Sequence, residues 1–295
     1  MTPEQLLERR RFIGASESAA ACGLSPWKTP YQLWSEKTGE TPPDADNEAM
    51  SWGRRLELPI LQRYAEDAEE KVEYPCAPVV HPDFLWMRAT PDGLTPSRVV
   101  EVKTARSAYE WGEADDAVPM QYLLQVTHQM VVTNRRLADV AVLIGGSDYR
   151  VYHITLDDEL AALLIEREKA FWQHVEDGTP PEVRSIADAV SRWPKDKGTT
   201  VMATQEVADA VVKLLEIEQQ QEALEADHDA LGLAVRTCMG EASALTDGSG
   251  RTLATWKSQI RSQLDFKGLK TDHPAIYEKY SIKHPTRVFR LNRGK

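Results

Sequence analysis

The segment Val99-Val-Glu-Val-Lys103, a few residues after Thr90-Pro-Asp-Gly93, constrains the fold more than any other part of the chain. Valines at this density belong in a packed sheet. Glu101 and Lys103, two residues apart, fall on one side of such a strand, and a carboxylate and an ammonium held there must satisfy each other or nearby groups. Phe84 to Ala89 and Val99 to Val102 read as two short strands, and the turn chemistry of Thr90-Pro-Asp-Gly93 between them predicts a β-hairpin. Gly93 permits a close backbone approach beside Asp92. On that hairpin Asp92 and Glu101 share a face with Lys103. Two hard oxygen ligands with a neighbouring ammonium make a magnesium site suited to phosphodiester hydrolysis. The competing reading is a solvated turn followed by an edge strand with Glu101 and Lys103 exposed; the three valines weigh against it.

Around this segment the periodicities alternate. Ser16 is a plausible N-cap for the small-residue run Glu17 to Cys22, which stops at Gly23. From Trp52 to Glu70 the apolar positions Leu56, Ile60, Leu61 and Tyr64 recur at helical spacing, which predicts a helix with Glu57 near its start and Pro59 in a first turn or a kink. Pro119 opens a second helix through Tyr122, Leu123, Val126 and Met130 to Asn134; Val140 to Ile144 and Val151 to Ile154 are β-rich; Asp157 to Val175 is helical again. This order predicts a mixed α/β layer fold.

Beyond Asp177-Gly-Thr-Pro-Pro181 the composition changes. Val207, Ala210, Leu214, Ile217, Gln221, Leu224, His228, Leu231, Val235 and Cys238 recur at alternating spacings of three and four. That is an a/d seam interrupted by two polar residues, and it fits either a coiled coil or a long amphipathic helix folded on its own domain. Thr252 to Trp256 and Arg287 to Leu291 are read as a small two-strand element. The expected division is a first domain over 1–185, a linker over 186–203 and an appendage over 204–295.

A net charge of −11 argues at first against a polyanionic partner. The charge is segregated, however: Glu206 to Glu241 carries nine acids against two cations, whereas Arg251 to Lys295 carries eleven Lys or Arg against three acids. The basic end is the part expected to meet DNA backbone or a partner protein. Cys22, Cys76 and Cys238 stand far apart and form no C-x-x-C pair, and the histidines form no H-x-H or H-E-x-x-H pair, so neither a disulfide framework nor a structural zinc site is expected. With no secretory signal and no long apolar run, a cytoplasmic location is expected.

Five segments, in order, carry a resemblance. Arg9 with Ile13-Gly-Ala-Ser-Glu17, Ser25-Pro-Trp-Lys-Thr-Pro-Tyr31, Trp52-Gly53 with Glu57, Thr90-Pro-Asp-Gly93 with Glu101-Val-Lys103, and Gln125 to Gln129 before Met130-Val-Val-Thr133 together resemble the YqaJ-type viral recombinase family, which includes lambda-phage exonuclease and lies within the PD-(D/E)XK nuclease superfamily. The resemblance runs through most of residues 9–177. It implies a restriction-endonuclease-like mixed sheet flanked by helices, here with a long C-terminal helix and a small β appendage.

The resemblance also implies roles. Asp92 and Glu101 would bind a catalytic Mg2+, with Mn2+ a substitute, together with the backbone carbonyl of Val102. Glu57 would complete a second metal site or hold a metal-bound water. Lys103 would orient or deprotonate the attacking water with its pKa lowered by the adjacent cation, Gln125 would position that water or Lys103, and Arg9 and Ser16 would grip a terminal 5′-phosphate. The plainer readings stand beside these: Ser16 as a helix cap, Arg9 as one of three exposed arginines, Gln125 as a surface residue. Trp27, Trp34 and Trp52 are read as core in preference to base-stacking platforms. The implied activity is a metal-dependent exonuclease on double-stranded DNA ends that leaves 3′ single strands for an annealing recombinase, acting as a ring-shaped homotrimer. An endonuclease of the same superfamily and a non-catalytic DNA-binding scaffold are the alternatives.

Overall fold

Arg98–Ala105, the strand foreseen from its valines, lies at the heart of a computed structural model that describes residues 7–44, 47–68, 70–114, 116–282 and 286–293. The chain forms two compact units, Met1–Arg192 and Trp193–Lys295. Among the described residues no helix is long and apolar enough to cross a membrane.

The first unit is mixed α/β. In chain order it contains β1 (Ile13–Gly14), a 3-10 turn (Ala15–Glu17), α1 (Ser18–Ala21), α2 (Pro30–Thr38), α3 (Glu48–Asp67), β2 (Val79–Val80), β3 (Met87–Ala89), β4 (Gly93–Leu94), β5 (Arg98–Ala105), α4 (Met120–Thr133), β6 (Leu137–Ile144), β7 (Asp148–Thr155), α5 (Asp158–Glu176) and α6 (Ile186–Arg192). The main sheet has the order β4-β5-β6-β7. β5 and β6 run parallel through eight paired residues, from Arg98↔Leu137 to Ala105↔Ile144, and α4 makes the crossover between them. β4 and β7 flank them antiparallel.

Helices cover both faces, which is why β5 reads as a nearly continuous apolar run. Val99 packs with Val126 and Met130 of α4 and with Val140 and Val142 of β6. Val100 and Val102 pack with Ile60, Leu61 and Tyr64 of α3. By strand alternation Glu101 and Lys103 share the α4 side with Val99.

The predicted hairpin takes a different form. Phe84 to Ala89 does not pair with Val99 to Val102: β3 belongs to a separate three-stranded sheet of order β1-β3-β2, and the partner of β5 is the two-residue β4. Thr90-Pro-Asp-Gly93 therefore carries the chain from one sheet to the other. α3 also begins earlier than its periodicity indicates, because the Asn47 side chain caps it by accepting from Met50 N at 2.9 Å. Glu57 consequently lies mid-helix, and Pro59 sits inside the helix.

The 186–203 linker is shorter than expected. Ile186–Arg192 is helical, and the buried Asp188 carboxylate accepts from Thr29 Oγ1 at 2.9 Å, Arg184 N at 2.9 Å and Ser185 N at 3.2 Å, which fastens α6 to the start of α2. A buried carboxylate with three donors was not visible in a stretch that reads as polar.

The second unit is built on α7 (Gln205–Met239), with β8 (Ala244–Thr246), β9 (Thr252–Thr255), α8 (Phe266–Asp272) and α9 (Pro274–Tyr280). The seam residues Val207, Leu214, Leu224 and Leu231 are exposed, so the described chain does not bury the seam. Thr252–Thr255 pairs with Ala244–Thr246 and not with Arg287 to Leu291. Asp247 explains the difference: its Oδ1 accepts from Ser249 N and Arg251 N, both at 3.0 Å, closing a short turn between neighbouring strands. Arg293 of the basic end donates to Glu222 at 2.8 Å and Glu218 at 3.0 Å on α7, so part of the segregated charge is compensated within the unit.

α4 is tied to α5 by a fully buried pair. His128 Nδ1 faces Glu168 Oε1 at 2.9 Å while Nε2 faces the Arg88 carbonyl at 2.9 Å, so both ring nitrogens meet oxygen acceptors, an arrangement that favours the charged ring. Burial works against that charge, but Glu168 and the Arg88 carbonyl outweigh it and raise the His128 pKa. The contribution is therefore fully present below the unfolded value of about 6.5 and is lost as pH rises through the raised folded value. Glu168→Gln should lower stability by about 3 kcal/mol at pH 6, and the deficit should narrow at alkaline pH; urea unfolding of both proteins at pH 6 and pH 9.5 checks this, and a pH-independent deficit would refute it.

Candidate active site

The β4–β5 register places the acids. Gly93 pairs with Val100 and Leu94 with Val99, so Asp92, one residue before Gly93, comes opposite Glu101. The approach is close: a Cβ on Gly93 would lie 2.9 Å from Leu61 Cδ1 and 3.1 Å from Val72 Cγ1, so any side chain there would have to displace both. Asp92 Oδ2 accepts from Val102 N at 2.8 Å, which fixes the carboxylate against β5.

Glu101 is 3% exposed and has three donors. Its Oε1 accepts from Lys103 Nζ and from Gln125 Nε2, the latter at 2.6 Å, and its Oε2 accepts from Gln129 Nε2 at 2.6 Å. Gln125 and Gln129 lie four apart on α4 and so present one face to the carboxylate. The plainer reading of Gln125 as a surface residue is thereby excluded. Gln129 was overlooked as a site residue; the signal was its place one helical turn after Gln125. Its Oε1 is buried without a hydrogen-bond partner.

Electrostatics follow from crowding. Burial and the facing Glu101 push the Asp92 carboxyl up to about 8, against the pull of Lys103 and the Val102 N–H. Burial, with Glu101, also raises the half-buried Glu57 on α3. For Lys103 burial acts downward, but Glu101 and Asp92 outweigh it, and the net direction is upward. The sequence expectation of a lowered lysine pKa, which invoked a bound cation, does not describe the protein on its own. The Lys103 ammonium also lies 5.1 Å from the Tyr122 ring centroid.

Arg9 and Ser16 come together, with Arg9 Nη2 donating to Ser16 Oγ at 3.4 Å and to Glu17 Oε1 at 3.1 Å. Ser16 is exposed within the 3-10 turn and is not a helix cap; Glu17 Oε2 instead accepts from Gly14 N at 2.8 Å. Lys37 Nζ donates to Glu17 and to the Arg9 and Phe12 carbonyls, each at 2.6 Å, and so braces the pair from α2. Neither Glu17 nor Lys37 was singled out from sequence. Ala15 and Ala19 pack with Leu124 and Val132, which seats the turn on α4. Of the tryptophans assigned to the core, only Trp34 is buried, while Trp27 and Trp52 are 68% and 53% exposed.

Two carboxylates fit a hard divalent cation that completes its shell with water and backbone oxygen, and their mutual repulsion is charge that a cation would relieve. Among the described residues no group of three or more His, Cys, Asp or Glu side chains converges as a metal cage, so Glu57 acts on the pair at a distance and does not join it in a cluster.

A carboxyl with a raised folded pKa destabilises the fold increasingly as pH climbs from the unfolded value near 4 towards about 8. With divalent cations removed by EDTA, Asp92→Asn should therefore raise the melting temperature by about 2–5 °C at pH 8 and by much less at pH 5. Calorimetry at the two pH values decides it; an unchanged or lowered melting temperature at pH 8 would contradict the electrostatic account.

The sequence signature of the YqaJ-like viral recombinase domain matches residues 6–136. The uncharacterized protein YqaJ of Bacillus subtilis (strain 168) is 30% identical over 290 residues, which cover 94% of this chain and 89% of the relative. Among solved structures, the alkaline exonuclease LHK-Exo from Laribacter hongkongensis aligns with a TM-score of 0.48 at 22% identity, covering 60% of this chain and 94% of that one. A phage related exonuclease from Haemophilus somnus 129PT aligns with a TM-score of 0.44 at 11% identity, covering 56% and 94%. The match to the Bacillus protein extends across both compact units, and the chain belongs to the YqaJ-like viral recombinase family.

Proposed function

We propose that the chain is a metal-dependent exonuclease that hydrolyses linear double-stranded DNA from 5′ ends and leaves 3′ single strands for an annealing recombinase. The observation that carries this reading is the Asp92–Glu101 pair, joined to Lys103 and held by Gln125 and Gln129. Asp92, Glu101 and the Val102 carbonyl hold a divalent cation, Mg2+ or its substitute Mn2+, which when bound supplies Lewis acidity towards the scissile phosphate. Gln125 and Gln129 each donate to one Glu101 oxygen and fix the orientation of that carboxylate. Lys103 donates to the phosphate or to the incoming water and offsets charge building on the phosphate oxygens. Glu57 adds negative charge beside the pair and helps retain the cation. Arg9 and the accessible Ser16 hydroxyl bind the terminal 5′-phosphate, a guanidinium and a neutral donor suited to that group. The family relationship supports DNA as the substrate and a recombination partner; a homotrimer is part of the same proposal.

The test uses linear duplex with 5′-phosphates, the same duplex without them, and closed circular DNA, each with Mg2+ or EDTA. Phosphorylated linear DNA should be degraded fastest and only with metal, the circle should survive, and Lys103→Ala should cost about a hundred-fold or more in rate. Cutting of the circle would replace this reading with an endonuclease, and no metal-dependent loss of any substrate would leave a scaffold.

A further inference from the structure

The Lys103 ammonium lies over Tyr122, and Tyr122 belongs to a row of rings that leads away from the catalytic pair. Trp111, buried at 6% exposure, stacks on Tyr122 with centroids 5.5 Å apart and planes 26° apart. Tyr122 also meets Trp27, with centroids 6.3 Å apart and planes tilted by 39°. The inner ring is packed and the middle one partly so, but Trp27 ends the row 68% exposed. With Lys103 Nζ 5.1 Å from the Tyr122 centroid and Trp27 6.3 Å from it, the ammonium and the indole are at most about 11 Å apart. That is no more than about three nucleotide rises of ~3.4 Å along one strand.

The backbone that carries the indole is tied down. Ser25 Oγ accepts from Trp27 N at 3.2 Å and from Lys28 N at 3.3 Å, closing the turn around Pro26. Thr29 and Gln32 then cap α2 reciprocally, with Gln32 N donating to Thr29 Oγ1 at 3.2 Å and Thr29 N to Gln32 Oε1 at 2.9 Å. With the turn already ordered, stacking on the ring has only the side-chain torsions of Trp27 left to restrict. The nearby cation is already committed, since Lys28 Nζ pairs with Glu36 at 2.5 Å and Asp44 at 3.0 Å. The turn therefore offers a π face with little free charge, which suits a base and not a phosphate. Every base has such a face, so the contact tolerates any sequence, as an enzyme acting on arbitrary ends requires.

We propose that Trp27 is a stacking platform for a nucleobase of the strand being cut, within about three nucleotides of the phosphate at Lys103. The proposal rests on the nuclease reading of the Asp92–Glu101–Lys103 centre.

The experiment couples the indole to a single base. Wild type, Trp27→Ala and Trp27→Phe, each checked for fold by circular dichroism, are given 5′-phosphorylated duplexes whose cut strand has an abasic site at the first, second or third nucleotide. KM and kcat are measured with Mg2+, and affinity is measured in EDTA by anisotropy of a fluorescein label. On intact DNA, Trp27→Ala should raise KM about ten-fold, more than it lowers kcat, and Trp27→Phe should recover most of the loss. At one position the abasic site should impose a similar penalty on wild type and almost none on Trp27→Ala. An unchanged KM in Trp27→Ala, or abasic penalties that multiply with it at every position, would overturn the platform. Failure of wild type to cleave any DNA would instead sink the nuclease reading, while the anisotropy arm, which needs no cleavage, would still report whether Trp27 and a base are coupled.

Discussion

Glu101 carries a carboxylate into the middle of a sheet packed on both faces, and much of the first unit can be understood as the means of keeping it there. An unpaired charge in that position would cost more than the surrounding valines return. The solution is local and complete: an ammonium two residues along the same strand and two carboxamides from the crossover helix occupy the carboxylate oxygens. Those contacts dictate the rotation of α4 about its own axis, and that rotation in turn sets which of its residues meet β6, α5 and the 3-10 turn.

The second carboxylate makes the arrangement reactive. Asp92 is brought up to Glu101 by a strand of only two residues, and a glycine there lets Leu61 and Val72 pack closely against it. Negative charge is thus concentrated where burial resists it, the usual price of a site arranged for chemistry and not for stability. Glu57 adds to the concentration from the opposite helix layer. The fold tolerates this because the valine packing on either side of β5 is extensive.

How much of this was readable from the sequence varied with the range of the interaction. Asp92, Glu101 and Lys103 stand out because charged residues sit beside or within a dense apolar run, and that pattern is local, whereas Gln125 was reached through the family resemblance. The mixed α/β layers and the limits of α5, with Asp157 at its cap, were legible for the same reason. What was missed depends on partners distant in sequence. Nothing local reveals that Phe84 to Ala89 pairs with Ile13–Gly14 instead of with β5, that Asp188 finds Thr29, or that Glu17 is braced by Lys37. Trp27 and Trp52 were misassigned because an indole is apolar by composition, and only the surrounding packing shows that these two are left uncovered.

The crossover helix has one further implication. Its 14 residues set the amide face on Glu101 and also give the 3-10 turn bearing Ser16 its seat, through Leu124 and Val132. A single rod thereby gauges the interval between the Arg9–Ser16 pair and the Asp92–Glu101 pair. The interval is set by helical pitch and not by the wandering of a loop, so one residue inserted within the rod would turn one pair against the other by about 100°, whereas an insertion in the turns beyond either end would leave the gauge intact.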